Sequence, residues 1–243
     1  MGKFKRLRAY SQHRSAFCSF PNIGSTLPDR AAWGRIRKIF GKRHLLPMRM
    51  AHELCLATAG KQVPDGPDWI HEVKHDGYRI REDKRVRLLS RNGTDWTKRY
   101  PGLPRRRWSR QKQFVIDGEA VNLGVDDVSD FNALHCRKHD HEVQLYAFDI
   151  LAMGGDDLRF LPLHMRKANL EQLVARRPDG VTVAPFERGE IGPDLFRAAC
   201  RMGLEGLVSK HHDRPYRGGR QKHWIKVKNR TYPAMYRVMD ALG

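Results

Sequence analysis

The chain has 243 residues, 40% of them hydrophobic, which is enough for one substantial core or for one domain with an extension. Its formal net charge of +19 predicts a polyanionic partner, with nucleic acid favoured over an anionic membrane surface. No apolar run is long enough to span a bilayer, and the four cysteines, Cys18, Cys55, Cys136 and Cys200, are scattered without a Cys-x-x-Cys pair. These features argue against a membrane protein, a disulfide framework and a zinc knuckle, and they favour a cytoplasmic location.

The first part of the chain differs in composition from the rest. Residues 1–46 hold eleven Lys or Arg residues and one acidic residue, and they lack sustained hydrophobic periodicity. We therefore predict a basic, poorly ordered extension over 1–46, with a short helix near 31–40, and a folded domain over 47–243. Three interpretations of the extension remain open: a nucleic-acid-binding arm, a dispensable segment upstream of a start at Met48 or Met50, and a transit peptide.

The remaining sequence predicts many strands with a few helices between them. Runs rich in β-branched, aromatic and alternating residues predict strands over 69–74, 78–81, 86–90, 114–121, 143–151, 181–186, 205–210 and 223–228. Helices are predicted over 130–137 with Ser129 as its cap, over 163–176, and over 193–202 with Pro193 at its start and Gly203 after its end. Short turns between these elements favour an α+β domain with antiparallel sheets.

The first chemical motif surrounds Lys74. Residues 72–79 read Glu-Val-Lys-His-Asp-Gly-Tyr-Arg and contain the pattern Lys-x-Asp-Gly-x-Arg. A lysine amine is a poor nucleophile while protonated, with an ordinary pKa of about 10.4, and nearby cations lower that pKa. Arg79 follows a tight Asp-Gly turn, so it can point back at the same pocket. Taken alone, the pattern also fits a basic β-hairpin with no catalytic role.

Further short motifs follow in order along the chain. They are Leu-Ser-Arg-Asn-Gly at 89–93, Asp-Gly-Glu at 117–119, Phe-Asp-Ile-Leu at 148–151, Glu-Gly-Leu-Val-Ser-Lys at 205–210 and Trp-Ile-Lys-Val-Lys at 224–228. Strand alternation places Lys226 and Lys228 on one face, and the guanidinium of Arg91 suits phosphate oxygens. Each motif alone also has a structural explanation, such as a turn arginine, a surface acid or a core phenylalanine. Only the occurrence of all the motifs in this order indicates a function.

Taken together, the motifs resemble those of the adenylation (nucleotidyltransferase) domain of ATP-dependent DNA ligases. The superfamily includes RNA ligases and mRNA-capping guanylyltransferases, and the likeness is strongest to small bacterial ligases and to the ligase module of bacterial end-joining enzymes. It covers about residues 48–240. The resemblance implies two antiparallel β-sheets flanked by helices, with a nucleotide groove between them.

The resemblance implies a covalent mechanism. Lys74 matches the lysine that attacks the α-phosphorus of ATP and forms a lysyl–AMP adduct. Lys226 and Lys228 match the pair of cations that grip the α-phosphate, and they are predicted to be catalytic with Lys74. Glu205 matches a carboxylate that helps to hold a divalent metal, Mg²⁺ or Mn²⁺.

The resemblance also implies a set of nucleotide-binding residues. Glu72 matches the acidic residue that contacts the adenine amino group, and Phe148 the aromatic residue that stacks on adenine. Glu119 is expected to accept the ribose hydroxyls. Arg79 and Arg91 are expected to contact the nucleotide, and Arg91 alternatively a DNA 5′-phosphate.

The implied partner is nicked or broken duplex DNA, bound by a monomer associated with a bacterial nucleoid. The fifteen residues after Lys228 are too short for the five-stranded OB-fold domain with which family ligases continue. Self-adenylation is therefore expected to be slow, or to need an OB-fold protein or a Ku-type end-joining factor in trans. Two alternatives remain: an RNA ligase or other nucleotidyltransferase, and a catalytically impaired DNA-binding accessory, which the unusual basic run at 105–110 favours.

Overall fold

The computed structural model describes residues 53–83, 87–101, 103, 114–124, 128–175 and 180–233. Eleven strands are present in this part of the chain: β1 Cys55–Ala59, β2 Trp69–Val73, β3 Tyr78–Asp83, β4 Leu88–Ser90, β5 Phe114–Val121, β6 Gln144–Met153, β7 Asp156–Asp157, β8 Val181–Val183, β9 Phe186–Arg188, β10 Gly206–His211 and β11 Gly219–Lys228. The same described residues form the helices α1 Phe131–His135, α2 Leu163–Val174 and α3 Gly192–Arg201. The extension over 1–46, the helix expected near 31–40 and the basic run at 105–110 lie outside the described residues.

The strands form two sheets. The five-stranded sheet has the order β1-β11-β10-β2-β9, and the six-stranded sheet has the order β4-β3-β5-β6-β7 with β8 added alongside β6. The consecutive strands β2 and β3 therefore belong to different sheets, and the short segment between them carries the chain from one sheet to the other. This segment contains Lys74, so the motif lysine lies at the junction of the two sheets.

Each sheet has one face covered by a helix. Leu170 and Val174 of α2 pack with Leu145 and Ala147 of β6 in the core of the six-stranded sheet. On the five-stranded sheet, α3 packs against β10 and β2, and its Leu195 and Ala199 share an apolar cluster with Leu207 and Val227. The opposite faces of the two sheets are left to face each other, and they define a cleft. No helix in the described ranges is long and apolar enough to cross a bilayer.

Alternation along the strands sends aromatic and charged side chains into this cleft. In β6, Leu145 and Ala147 enter the core under α2, whereas Tyr146 and Phe148 line the cleft. In β11, Trp224 and Lys226 line the cleft and Val227 packs under α3. The predicted strands of both sheets therefore place these side chains in the same cleft.

The structure corrects several of the sequence-based predictions. The sheets are mixed rather than antiparallel, because β1 pairs with β11 and β6 pairs with β8 in parallel. The strand expected over 181–186 is two strands, β8 and β9, in different sheets. Pro185 stands between them and has no backbone N–H to donate to a strand ladder. The segments β1 and β7 were not predicted, since one is rich in alanine and the other has only two residues.

The expected cap of the first helix was also wrong. Asp130, not Ser129, is the N-cap of α1, and its side chain accepts hydrogen bonds from the backbone N–H groups of Asn132 and Ala133. The hydroxyl oxygen of Ser129 instead accepts the backbone N–H of Asp76 over 3.1 Å. Ser129 therefore holds the loop that follows Lys74 rather than the start of a helix.

Candidate active site

A cavity of about 220 Å³ lies between the two sheets. It is lined by Leu56, Ala57, Glu72, Val73, Lys74, His75, Arg79, Arg91, Glu119, Tyr146, Phe148, Ala184, Val208, Lys210, Arg220, Trp224 and Lys226. Seven of the nine site residues expected from the sequence are in this lining. The other two are Glu205, which contacts Lys74 of the lining, and Lys228, which contacts Glu205.

The ammonium group of Lys74 lies at the centre of a short chain of ion pairs. Its Nζ donates to Oε2 of Glu205 over 2.5 Å, and Nζ of Lys228 lies 3.2 Å from Oε1 of the same carboxylate. The backbone of the motif is fixed as well, because the N–H of Lys74 donates to the carbonyl of Gly206 over 2.9 Å. Glu205 is buried, whereas the side chain of Lys74 is about one-fifth exposed. The buried carboxylate therefore holds the Lys74 amine where it faces the cavity.

The cavity around Lys74 is cationic. Burial lowers the pKa of Lys226, and the nearby charges of Lys74, Lys228, Arg220 and Arg91 lower it further. Burial also lowers the pKa of His75 to about 4, with a further contribution from Lys74, so this imidazole is neutral at pH 7. Cations that depress one another's pKa in this way bind an anion favourably, because the anion relieves their repulsion.

The carboxylate of Glu119 faces the cavity and is available to bind a ligand. Among the described residues it makes no hydrogen bond, and burial raises its pKa to about 7, although Lys74 and Arg79 oppose that rise. It alternates with Gly118, whose backbone packs so closely on Tyr146 that an added Cβ would lie 2.8 Å from the Tyr146 carbonyl oxygen. Strand β5 therefore presents an acceptor-bearing side chain to the cavity with no partner of its own.

Arg79 is held in place by buried partners. Its Nε and Nη2 donate to the two oxygens of Asp117 over 3.0 and 2.6 Å, and its Nη1 donates to the carbonyl of Cys55 over 2.7 Å. Asp117 also accepts the hydroxyl of Tyr216 over 2.7 Å. The guanidinium lies 5.2 Å from the ring centroid of Phe148, so it is positioned as one wall of the cavity.

A buried triad of charges contributes Glu72 and Lys210 to the cavity lining. The two carboxylate oxygens of Glu72 accept hydrogen bonds from Lys167 of α2 and from Lys210 of β10, the latter over 2.5 Å. The ammonium of Lys210 lies 4.0 Å from the ring centroid of Phe148 and 4.1 Å from that of Trp224. Burial lowers the pKa of Lys210, and the Glu72 carboxylate opposes that shift.

Three of these side chains were missed by the sequence reasoning. Trp224 could have been found, because strand alternation places it on the same face as Lys226. Lys210 also left a signal, since it ends the motif at 205–210. Lys167 left none, because its burial depends on a tertiary contact between α2 and Glu72 of β2.

The side chains of the site indicate how the expected divalent metal could be bound. Glu205 supplies a hard carboxylate oxygen of the kind that Mg²⁺ prefers, and a magnesium site commonly uses one or two carboxylates together with substrate phosphates. Within the described residues there is no group of three or more His, Cys, Asp or Glu side chains arranged to hold a metal ion. The residues fit a metal that binds together with a phosphorylated ligand, and they do not form a complete protein-only site.

The two sheets and the cleft between them are those of the nucleotidyltransferase domain of ATP-dependent DNA ligases. Residues 53–228 match the family model described as the ATP dependent DNA ligase domain. The chain belongs to this family.

Solved structures and curated relatives agree with this assignment. A mycobacterial DNA ligase D complexed with ATP and MES has a TM-score of 0.66 and 32% identity, over 73% of this chain and 60% of that one. The multifunctional non-homologous end joining protein LigD of Pseudomonas aeruginosa is 35% identical over 222 residues, and the LigD DNA repair protein of Mycobacterium tuberculosis is 32% identical over 198 residues. These matches cover 86% and 79% of this chain, which spans about 25% of each relative's length. The expected resemblance to bacterial end-joining ligases is confirmed.

Proposed function

We propose that this domain uses ATP to adenylate Lys74 and passes the AMP group to a 5′-phosphate of DNA, so that a nick can be sealed. The observation that carries this proposal is the position of Lys74, whose amine faces a cationic cavity while Glu205 fixes it from behind. The similarity to a ligase solved with ATP supports ATP as the substrate.

The first step is an in-line substitution at phosphorus. After the Lys74 ammonium loses a proton to solvent, its amine attacks the α-phosphorus, an N–P bond forms, the bond from phosphorus to the pyrophosphate oxygen breaks, and a second proton leaves the nitrogen. Lys226 of β11 lines the cavity and Lys228 contacts Glu205, the partner of Lys74, and we assign both cations to the charge on the α-phosphate. In the later steps AMP moves to a DNA 5′-phosphate, and a 3′-hydroxyl then displaces AMP to close the backbone.

The other cavity residues are assigned to the nucleoside. We place the adenine against Phe148, with Glu72 as acceptor for its amino group, and the ribose hydroxyls at the unpartnered carboxylate of Glu119. Arg79 and Arg91 are assigned to the nucleotide, with Arg91 able to reach outward because it is exposed. A magnesium ion, held by Glu205 and by the substrate phosphates, would supply further positive charge to the leaving pyrophosphate.

The experiment is covalent labelling. The protein is incubated with ATP labelled at the α-phosphate and with magnesium, then denatured, and the label that remains on the protein is measured. Lys74→Ala is expected to abolish labelling, and Lys61→Ala, which removes an exposed lysine outside the cavity, is expected to retain it. Labelling of Lys74→Ala at the level of the wild type would reject Lys74 as the nucleophile.

The nucleic-acid substrate is tested separately. Nicked DNA, nicked RNA and hybrid duplexes are compared as acceptors, and we expect nicked DNA to be sealed best. A preference for RNA would favour the RNA ligase alternative, and labelling without any sealing would favour an accessory role. Addition of a separate OB-fold protein or a Ku-type factor tests whether turnover needs a partner. The expected site of action is the bacterial nucleoid.

A further inference from the structure

A second groove lies at the end of the five-stranded sheet, and it shares no residue with the nucleotide cavity. Its volume is about 380 Å³. Trp69 begins β2, His211 ends β10 directly opposite it, and the loop from β10 to β11 closes the groove with Arg214 and Arg217. Lys222 of β11 completes the charged part of the lining.

Trp69 and His211, which line this groove, lie on the opposite face of the sheet from the nucleotide cavity. Lys210 lines the cavity, so the next residue, His211, points to the other face, where Leu207 packs under α3. Trp69 alternates in the same way with Ile70 and Glu72, and Glu72 lines the cavity. The groove is therefore a separate surface and not an extension of the active site.

The groove is strongly cationic and contains an aromatic wall. Arg214, Arg217 and Lys222 are all exposed, and none of them forms an ion pair with an acid of the described residues. The neighbouring carboxylates Asp68 and Asp213 lie close to His212 instead, at 3.8 and 3.0 Å from its Nε2. Trp69 is partly exposed, and its ring meets His211 edge to face, with 5.5 Å between their centroids.

The loop that carries the two arginines is held in place before any ligand binds. The backbone carbonyl of Arg214 accepts a hydrogen bond from the buried guanidinium of Arg166 over 3.1 Å. The backbone N–H of Tyr216 donates to the carbonyl of Arg159 over 2.8 Å, and the Tyr216 hydroxyl donates to the buried Asp117. A preformed groove of this kind loses little conformational entropy on binding.

We propose that this groove binds a single-stranded nucleic-acid segment, with phosphates on the three cations and an unpaired base stacked on Trp69. Three cations without an ion-pair partner among the described residues match a polyanion, and an aromatic face beside them matches a strand whose bases are free to stack. The basic extension over 1–46 is an unsuitable occupant, because its charge has the same sign as the groove. The proposal does not depend on catalysis at Lys74, so it survives or fails independently of the ligase assignment.

The charge contribution is tested by salt dependence. Binding of a fluorescent 15-nucleotide single strand to the full chain is measured by anisotropy at several salt concentrations. The triple variant R214A/R217A/K222A is expected to lower the slope of log affinity against log salt by about 2, since each single-strand phosphate contact contributes roughly 0.7. The control K61A/K98A/K138A removes three exposed lysines elsewhere and is expected to change the slope much less.

The stacking contribution is tested at Trp69. Trp69→Leu keeps apolar bulk and is expected to weaken single-strand binding at least about fivefold, whereas Trp69→Phe keeps an aromatic face and most of the affinity. Binding of a duplex with the same number of phosphates should be affected by neither variant, and thermal unfolding of both checks that they fold. Equal slopes for the two triple variants, or equal single-strand affinity of Trp69→Leu and wild type, would overturn the proposal. An acidic peptide that binds the groove in place of the strand would overturn it as well.

Discussion

Lys74 and Glu205 are 131 residues apart in the chain, and the Lys74 ammonium donates to the Glu205 carboxylate over 2.5 Å. The contact joins the loop after β2 to the residue before β10, and these two strands are neighbours in the five-stranded sheet. Because Glu205 is buried and also contacts Lys228, it fixes the direction of the Lys74 amine and places two cations of the site on one carboxylate.

Removing the Glu205 carboxylate is expected to slow adenylation of Lys74. Glu205→Ala leaves the amine unrestrained, and a displacement of about 1 Å can cost a reaction on the order of 100-fold. The rate of covalent labelling from α-labelled ATP measures the effect. Glu190→Ala, which removes an exposed glutamate elsewhere, is the matched control. Wild-type labelling by Glu205→Ala would show that the carboxylate does not position the nucleophile.

Glu119 is expected to make stability fall as the pH rises toward 7. Burial raises its pKa to about 7 in the folded protein, above the ordinary value of 4.5 that holds in the unfolded chain. The folded state therefore holds a proton that the unfolded state has lost between these values, and the stability this contributes at low pH is lost as the pH rises through about 7. Glu119→Gln does not titrate and should lack this contribution.

The measurement is urea unfolding of wild type and Glu119→Gln at pH 5 and at pH 8. We expect the free energy of unfolding of the wild type to fall, relative to the variant, between the two conditions. A pH-independent difference between the two proteins would mean that the Glu119 carboxyl titrates near its ordinary pKa in the folded state.

Substitutions in the buried triad of Glu72, Lys167 and Lys210 are expected to lower the free energy of unfolding by different amounts. Glu72→Gln leaves Lys167 and Lys210 buried without a counter-charge, and an uncompensated buried charge costs about 3–5 kcal/mol. Lys167→Met should cost less, because it leaves one ammonium on one carboxylate and replaces the stem with an apolar side chain. Urea unfolding of both variants at pH 7 tests this order, and a larger loss for Lys167→Met would contradict it.

Gly206 is expected to tolerate no side chain. Its φ is +141°, and an added Cβ would lie 2.1 Å from the carbonyl oxygen of Val227, which is backbone and cannot move aside cheaply. Gly206→Ala should therefore destabilise the protein and disturb the hydrogen bond from the Lys74 N–H to the Gly206 carbonyl. Thermal unfolding and covalent labelling together report both effects.

Gly203 provides the control for that substitution. Its φ is +69°, but an added Cβ would meet no atom within 4 Å. Gly203→Ala should carry only the cost of the left-handed backbone, about 1–2 kcal/mol, and should label normally. Equal destabilisation by the two substitutions would show that backbone conformation, and not the close approach of Val227, governs Gly206.

Much of the site was predictable because its residues lie in short motifs on strands. The strand over 114–121 has the predicted bounds, and its alternation sends Glu119 toward the cleft and Ala120 into the core. The strand over 181–186 was mispredicted, because a local pattern cannot show that its two halves join different sheets. The strand β1 was missed because its alanine-rich sequence acquires its structure from pairing with β11.

The sequence was enough to indicate which side chains belong to the cleft, because their motifs resemble those of ATP-dependent DNA ligases and strand periodicity places Lys226 and Lys228 on one face. The tertiary structure alone decided how their charges pair. Lys167 reaches Glu72 across 95 residues of chain, and Ser129 supports the loop after Lys74 from 53 residues away. Such contacts depend on how α2 and the two sheets pack in three dimensions, and no local pattern in the sequence encodes that packing.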